Sequence, residues 1–135
     1  MFSLCVFVWG LGLRLDQFNW QARAGLRPSL RLHIAWQVAR ELLLAVKGAN
    51  IADSKLRDQA MRAAQSTCLN IAEATGRGTI ADQKRVYSIA RGEASEAAAA
   101  LEIAAALGEC DGPQAAAGKP AARRLYALLG GLLRM

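Results

Sequence analysis

Residues 79–107 read TIADQKRVYSIARGEASEAAAALEIAAAL. Apolar side chains recur at Val86, Ala90, Ala94, Ala97, Leu101, Ala104 and Leu107, a spacing that averages 3.5 residues. That period predicts a helix over 80–107 packed nearly antiparallel in a left-handed bundle. Thr79 followed by Asp82 three residues later marks its N-terminus. The Ala97–Ala100 run reads as strong helix propensity rather than disorder.

The flanking sequence repeats the pattern. Upstream, Leu56, Ala60, Ala63, Thr67, Ile71 and Ala74 form the seam of a helix over 54–75. Asp53 or Ser54 can cap its start, and Gly76 ends it. A helix over 31–49 buries Ile34, Val38, Leu42, Ala45 and Ala49. Trp36, Leu43, Leu44 and Val46 give it a second apolar side, which asks for a second partner surface. Downstream, Gly112, Pro113 and Gly118 predict a loop over 108–119. A last helix over 120–133 then begins at Pro120 and buries Ala121, Leu125, Leu128 and Leu132. Gly130-Gly131 predicts that its final turn frays. Four such segments make an all-α, antiparallel up-down-up-down four-helix bundle.

Composition agrees. The chain has 135 residues, of which 28 are Ala and 19 Leu, with only eight aromatics and three Pro. Ala and Leu favour helices, and the scarcity of β-branched residues argues against a sandwich or barrel. One His, His33, excludes a site built from several imidazoles, including the Glu-x-x-His pairs of di-metal bundles. Cys5, Cys68 and Cys110 have neither disulfide-scaffold nor zinc spacing, so no metal and no cofactor is expected. Cys68 reads as a small apolar side chain on a helix. Gly76-Arg77-Gly78-Thr79 lacks the Gly-Lys-Ser/Thr ending and the preceding strand of a P-loop. Glu93 with Glu96 has no supporting base, so paired-carboxylate catalysis is not expected either.

Residues 1–30 read as an N-terminal extension, either flexible or created by a start assigned too far upstream. The apolar run Met1–Leu13 is too short to span a membrane and lacks the positive flank of a signal peptide. A cytoplasmic protein with no membrane association is the expectation. Pro28 marks the boundary of the helical domain, residues 31–135.

The net charge of +6 is unevenly spread. Residues 51–110 carry −1, and residues 31–135 together carry +4. The basic excess lies in Arg31, Arg40 and Lys47 near the start of the domain, and in Lys119, Arg123, Arg124 and Arg134 near its end. If the first and last helices are neighbours, the first six of these are candidates for one positive face that meets RNA or DNA backbone. No interleaving of aromatic and basic residues marks a base-stacking platform.

The motif Gln59-x-x-Arg62-Ala63-Ala64-x-Ser66-x-x-x-Asn70-Ile71-Ala72-Glu73-x-x-Gly76-Arg77 resembles the signature of bacterial 23S ribosomal RNA intervening-sequence proteins. The accessory protein of diversity-generating retroelements belongs to the same group. Tyr87-x-x-Ala90-x-Gly92-x-x-x-Glu96 and Trp36 match too. Two departures are Ala74, where Gly is usual, and Glu93, where Ser is usual. The resemblance covers about residues 31–135 and implies a non-enzymatic homopentamer of four-helix bundles. In the retroelement branch it implies association with a reverse transcriptase and nucleic acid. Within the motif, Asn70, Glu73 and Arg77 read as a buried amide and a helical ion pair that fix register, with a polar partner-binding patch as the alternative. An interaction scaffold with no nucleic-acid role is the competing reading of the whole chain.

Overall fold

The computed structural model describes residues 7–8, 13–14 and 26–135, with side chains from Leu30 onward. A short antiparallel ladder comes first, β1 (Phe7–Val8) with β2 (Leu13–Arg14). Four helices follow: α1 (Leu26–Gly48), α2 (Ser54–Gly76), α3 (Ile80–Ala106) and α4 (Gly112–Leu133). Most of the N-terminal extension expected over 1–30 lies outside the described residues.

Local chemistry sets the helix ends. The Asp53 carboxylate accepts the Leu56 N–H at 2.7 Å, and the Thr79 hydroxyl accepts the Asp82 N–H at 3.2 Å. Each bond satisfies one amide that the first helical turn leaves without a partner. α1 and α3 terminate where Asn50 and Gly108 take positive φ, 49° and 68°. The α1–α2 and α3–α4 connections then lie side by side: Ala52 donates to Glu109 O at 2.7 Å and Asp111 to Ala49 O at 3.1 Å.

The helices pack in a ring. α2 meets α3 most extensively, α1 meets α4, α3 meets α4 and α1 meets α2, with α1 also approaching α3 across the ring while the α2 and α4 backbones stand farthest apart. The buried faces of α2 and α3 are rich in alanine: Ala60, Ala63, Ala64 and Ala74 on one, Ala90, Ala94, Ala97, Ala100 and Ala104 on the other. Small side chains let the two backbones approach closely. Larger residues fill the centre, chiefly Val38, Leu42, Ile51, Ile71, Val86, Leu101, Leu125 and Leu129. Thr67 is the single buried polar residue of the described core, and its hydroxyl donates to Ala63 O at 2.8 Å.

Four expectations are corrected. α4 starts at Gly112 rather than at 120, with Pro113 in its first turn and Pro120 inside it. Ala115 and Gly118 are buried in the core, and that burial draws 112–119 into the helix. Pro120 is exposed, so water can serve the carbonyl it leaves unpaired. α1 starts at Leu26, placing Pro28 in a first turn that needs no donor there. Gly130 and Gly131 do not fray: both are buried and helical. Finally, the second apolar side of α1 is mostly used within the chain. Trp36 and Val46 are buried and Leu43 half-buried against neighbouring helices, leaving only Leu44 outward.

Candidate nucleic-acid interface

α1 and α4 are neighbours, and both carry exposed cations. They do not act as one uniform patch. Arg124 Nη1 lies 3.0 Å from Glu41 Oε2, and Lys119 Nζ lies 3.0 Å from Glu102 Oε1. Both pairs are solvent-exposed, so each contributes little to stability but lowers the local positive potential. Arg40 is half-buried and close enough to Cys68 of α2 to draw its pKa down, which places Arg40 toward α2. Arg31, Lys47 and Arg123 are exposed and pair with no carboxylate among the described residues.

The motif cations of the α2–α3 turn behave differently. Arg77 bonds Glu73 on its own helix, and its Nη1 reaches Asp82 Oδ2 on α3 at 3.3 Å. Asp82 also holds Arg85 Nη2 at 2.9 Å, and Gln83 Nε2 donates to Arg77 O at 3.2 Å. Asn70 is half-buried and donates to Ser66 O at 2.8 Å. These contacts clamp the turn and tie the Arg77 and Arg85 Nη groups to carboxylates, although Arg77 Nε is buried without a partner.

Two arginines outside the sequence candidates also approach α4. Arg91 of α3 stacks its guanidinium 3.6 Å from the Tyr126 ring centroid, and its Nε is buried without a partner. Arg134 lies one turn beyond, beside Gly130. The only sequence sign of this arrangement is the Gly130-Gly131 pair, whose missing side chains leave room for the arginine heads.

The remaining reactive groups are quiet. Burial pushes the Cys68 thiol up to about 11, with Arg40 opposing the shift. Burial also raises Tyr87. Cys68 is therefore protonated at neutral pH and is not an activated nucleophile. Glu96 accepts from Gln59 Nε2 at 3.1 Å, bridging α3 to α2. Among the described residues no group of three or more His, Cys, Asp or Glu is placed to hold a metal ion, and no helix is long and apolar enough to cross a membrane.

Comparison with curated proteins finds no match. Residues 31–131 match the family described as 23S rRNA-intervening sequence protein, and the chain belongs to that family.

Proposed function

From this membership we propose that the chain is a non-enzymatic, homo-oligomeric helical bundle of the cytoplasm that contacts RNA or DNA backbone through α1 and α4. One observation carries the reading: Arg31, Lys47 and Arg123 stand exposed on adjoining helices with no carboxylate partner among the described residues. A cation already paired must break that pair to meet a phosphate, whereas these need not. No base-reading group accompanies them, so binding is to backbone rather than to sequence.

The up-down-up-down course is supported by cross-helix partners. Gln59 early in α2 meets Glu96 late in α3, Glu102 late in α3 meets Lys119 early in α4, and Arg31 early in α1 lies beside Gly131 late in α4. Homo-oligomerisation, a pentamer by family resemblance, is supported by the outward face of α3. Ser88, Ile89, Gly92, Ser95, Ala99 and Ile103 are all exposed there, a surface that a second helix can approach closely. A protein partner such as a reverse transcriptase belongs to the same proposal.

The competing scaffold reading is favoured by the Arg124–Glu41 and Lys119–Glu102 pairs, which neutralise two of the six candidate cations. An electrophoretic shift with single-stranded RNA decides between them. The proposal predicts a shifted band at low salt that disappears as salt rises. No shift at low salt would overturn the nucleic-acid reading and leave the scaffold. Light scattering checks the assembly, and a strict monomer would remove the oligomer.

A further inference from the structure

Gly130 and Gly131 sit inside the last turns of α4 and are buried there. Each is about 1 kcal/mol less favourable in a helix than alanine. Arginine heads occupy the space where their side chains would stand. Arg31 Nη1 lies 2.7 Å from the Cβ position of Gly131. Arg134 Nη1 lies 3.5 Å, and Arg91 Nη2 3.9 Å, from that of Gly130. Arg31 comes from α1, Arg91 from α3 and Arg134 from the cap of α4.

None of the three has a carboxylate partner among the described residues, although Arg77, Arg85, Lys119 and Arg124 all do. The partial negative charge at the end of α4 favours a cation by about 0.3–1 kcal/mol at an exposed site. It is equivalent to only about half a unit charge, so it does not balance three guanidiniums. Arg91 is also held in advance. Its plane is stacked on Tyr126, so less side-chain freedom is lost when its Nη groups take an anion.

We propose that this cluster is where the protein grips phosphate of a nucleic-acid backbone, with Arg31, Arg91 and Arg134 as the donors. The proposal rests on the nucleic-acid reading above and adds the place. Guanidinium forks match the oxygen spacing of a phosphate. Arg123 lies seven residues before Gly130, two turns back along nearly the same face and about 10 Å away along the helix axis. A polymer carrying repeated phosphates reaches both positions, and a single phosphate does not.

The test compares two variants of the full chain with equal loss of charge. One is Arg31→Gln/Arg91→Gln/Arg134→Gln; the other is Lys55→Gln/Arg62→Gln/Lys84→Gln. Anisotropy titrations use a fluorescent single-stranded RNA, with inorganic phosphate as competitor. The proposal predicts at least a tenfold loss of affinity in the first variant, less than threefold in the second, and weak competition by phosphate. Equal losses in both variants, with the wild type binding, would overturn the cluster while leaving nucleic-acid binding intact. No binding by the wild type would instead overturn the reading on which the cluster rests. Thermal unfolding without RNA separates a structural role. The first variant should melt within about 5 °C of the wild type, because relief of like-charge repulsion offsets the lost Tyr126 stacking and the lost cation at the end of α4. A fall of more than about 5 °C with RNA affinity retained would show the arginines to be helix caps and overturn the proposal.

Discussion

The turn between α2 and α3 and the far ends of α1 and α4 hold their cations in different ways. In the first, Arg77 and Arg85 are tied to Glu73 and Asp82 across a tight turn. In the second, Arg31, Lys47, Arg123 and Arg134 have no carboxylate partner among the described residues, whereas Lys119 and Arg124 do. The same residue type is therefore tied to carboxylates at the α2–α3 turn and stands clear of them at the start of α1 and the end of α4. Net charge cannot register this difference; pairing can.

The largest test asks whether the two regions are separable at all. Ile71 and Leu125 are both fully buried, one in α2 and one in α4, and share a single core. Replacing either by alanine should cost about 2–5 kcal/mol in a single cooperative transition. Two separate calorimetric transitions would break the picture of one core.

Next in size is an alkaline effect at the α2 seam. The Cys68 thiol titrates near 11 in the folded chain against an ordinary thiol value of 9.0. The unfolded chain therefore loses this proton first as pH rises. The stabilisation is complete below pH 9 and disappears as pH approaches 11, a change of at most about 2–3 kcal/mol. Urea midpoints should fall over that window and fall less in Cys68→Ala, Tyr87 supplying the rest. Identical pH profiles in the two proteins would contradict this.

A comparable test lies where α3 meets α4. A Cβ on Gly118 would overlap Leu101 Cδ1, and Leu101 is held in the core. Gly118→Ala should destabilise by about 1–3 kcal/mol. Combined with Leu101→Ala, it should cost less than the sum of the two changes, as a double-mutant cycle of urea midpoints would show.

The smallest test bears directly on the contrast between the two regions. Arg77→Gln should lose about 0.5–1 kcal/mol, and less at high salt, because its partners are partly exposed. Arg123→Gln should leave stability unchanged by the same denaturation measurement. Equal losses would mean that pairing does not separate the two groups of cations.

α2 and α3 are legible in the sequence because their ends carry side-chain signals. Asp53 and Thr79 announce the starts, and the 3.5-residue period of the α3 face holds from Val86 to Ala104, whereas Leu107, read as its last member, caps the helix and is exposed. The start of α4 is not legible, for a local reason. Pro113 and Pro120 are equally suited to a first helical turn, and only the burial of Ala115 and Gly118 against other helices selects the earlier one. The fraying expected at Gly130-Gly131 follows from helix propensity alone. Propensity does not register that arginines from α1 and α3 cover those glycines. Arg91 lies 39 residues from Gly130 on an acidic segment, so no local pattern could link them. The six cations named from sequence do lie on neighbouring helices, but the Glu41 and Glu102 partners of two of them emerge only from packing.

The central claim is that unpaired cations of α1 and α4 meet phosphate and that Arg57, Arg77 and Arg85 around α2 and the α2–α3 turn do not. It is tested most directly by the salt dependence of single-stranded RNA affinity. The proteins to compare are the wild type, Arg31→Gln/Lys47→Gln/Arg123→Gln, and the charge-matched Arg57→Gln/Arg77→Gln/Arg85→Gln. Each lost phosphate contact on a single strand should reduce the slope of log affinity against log salt by about 0.7. The account predicts a slope shallower by about 2 for the first variant and the wild-type slope for the second. Equal slopes in the two variants would contradict it.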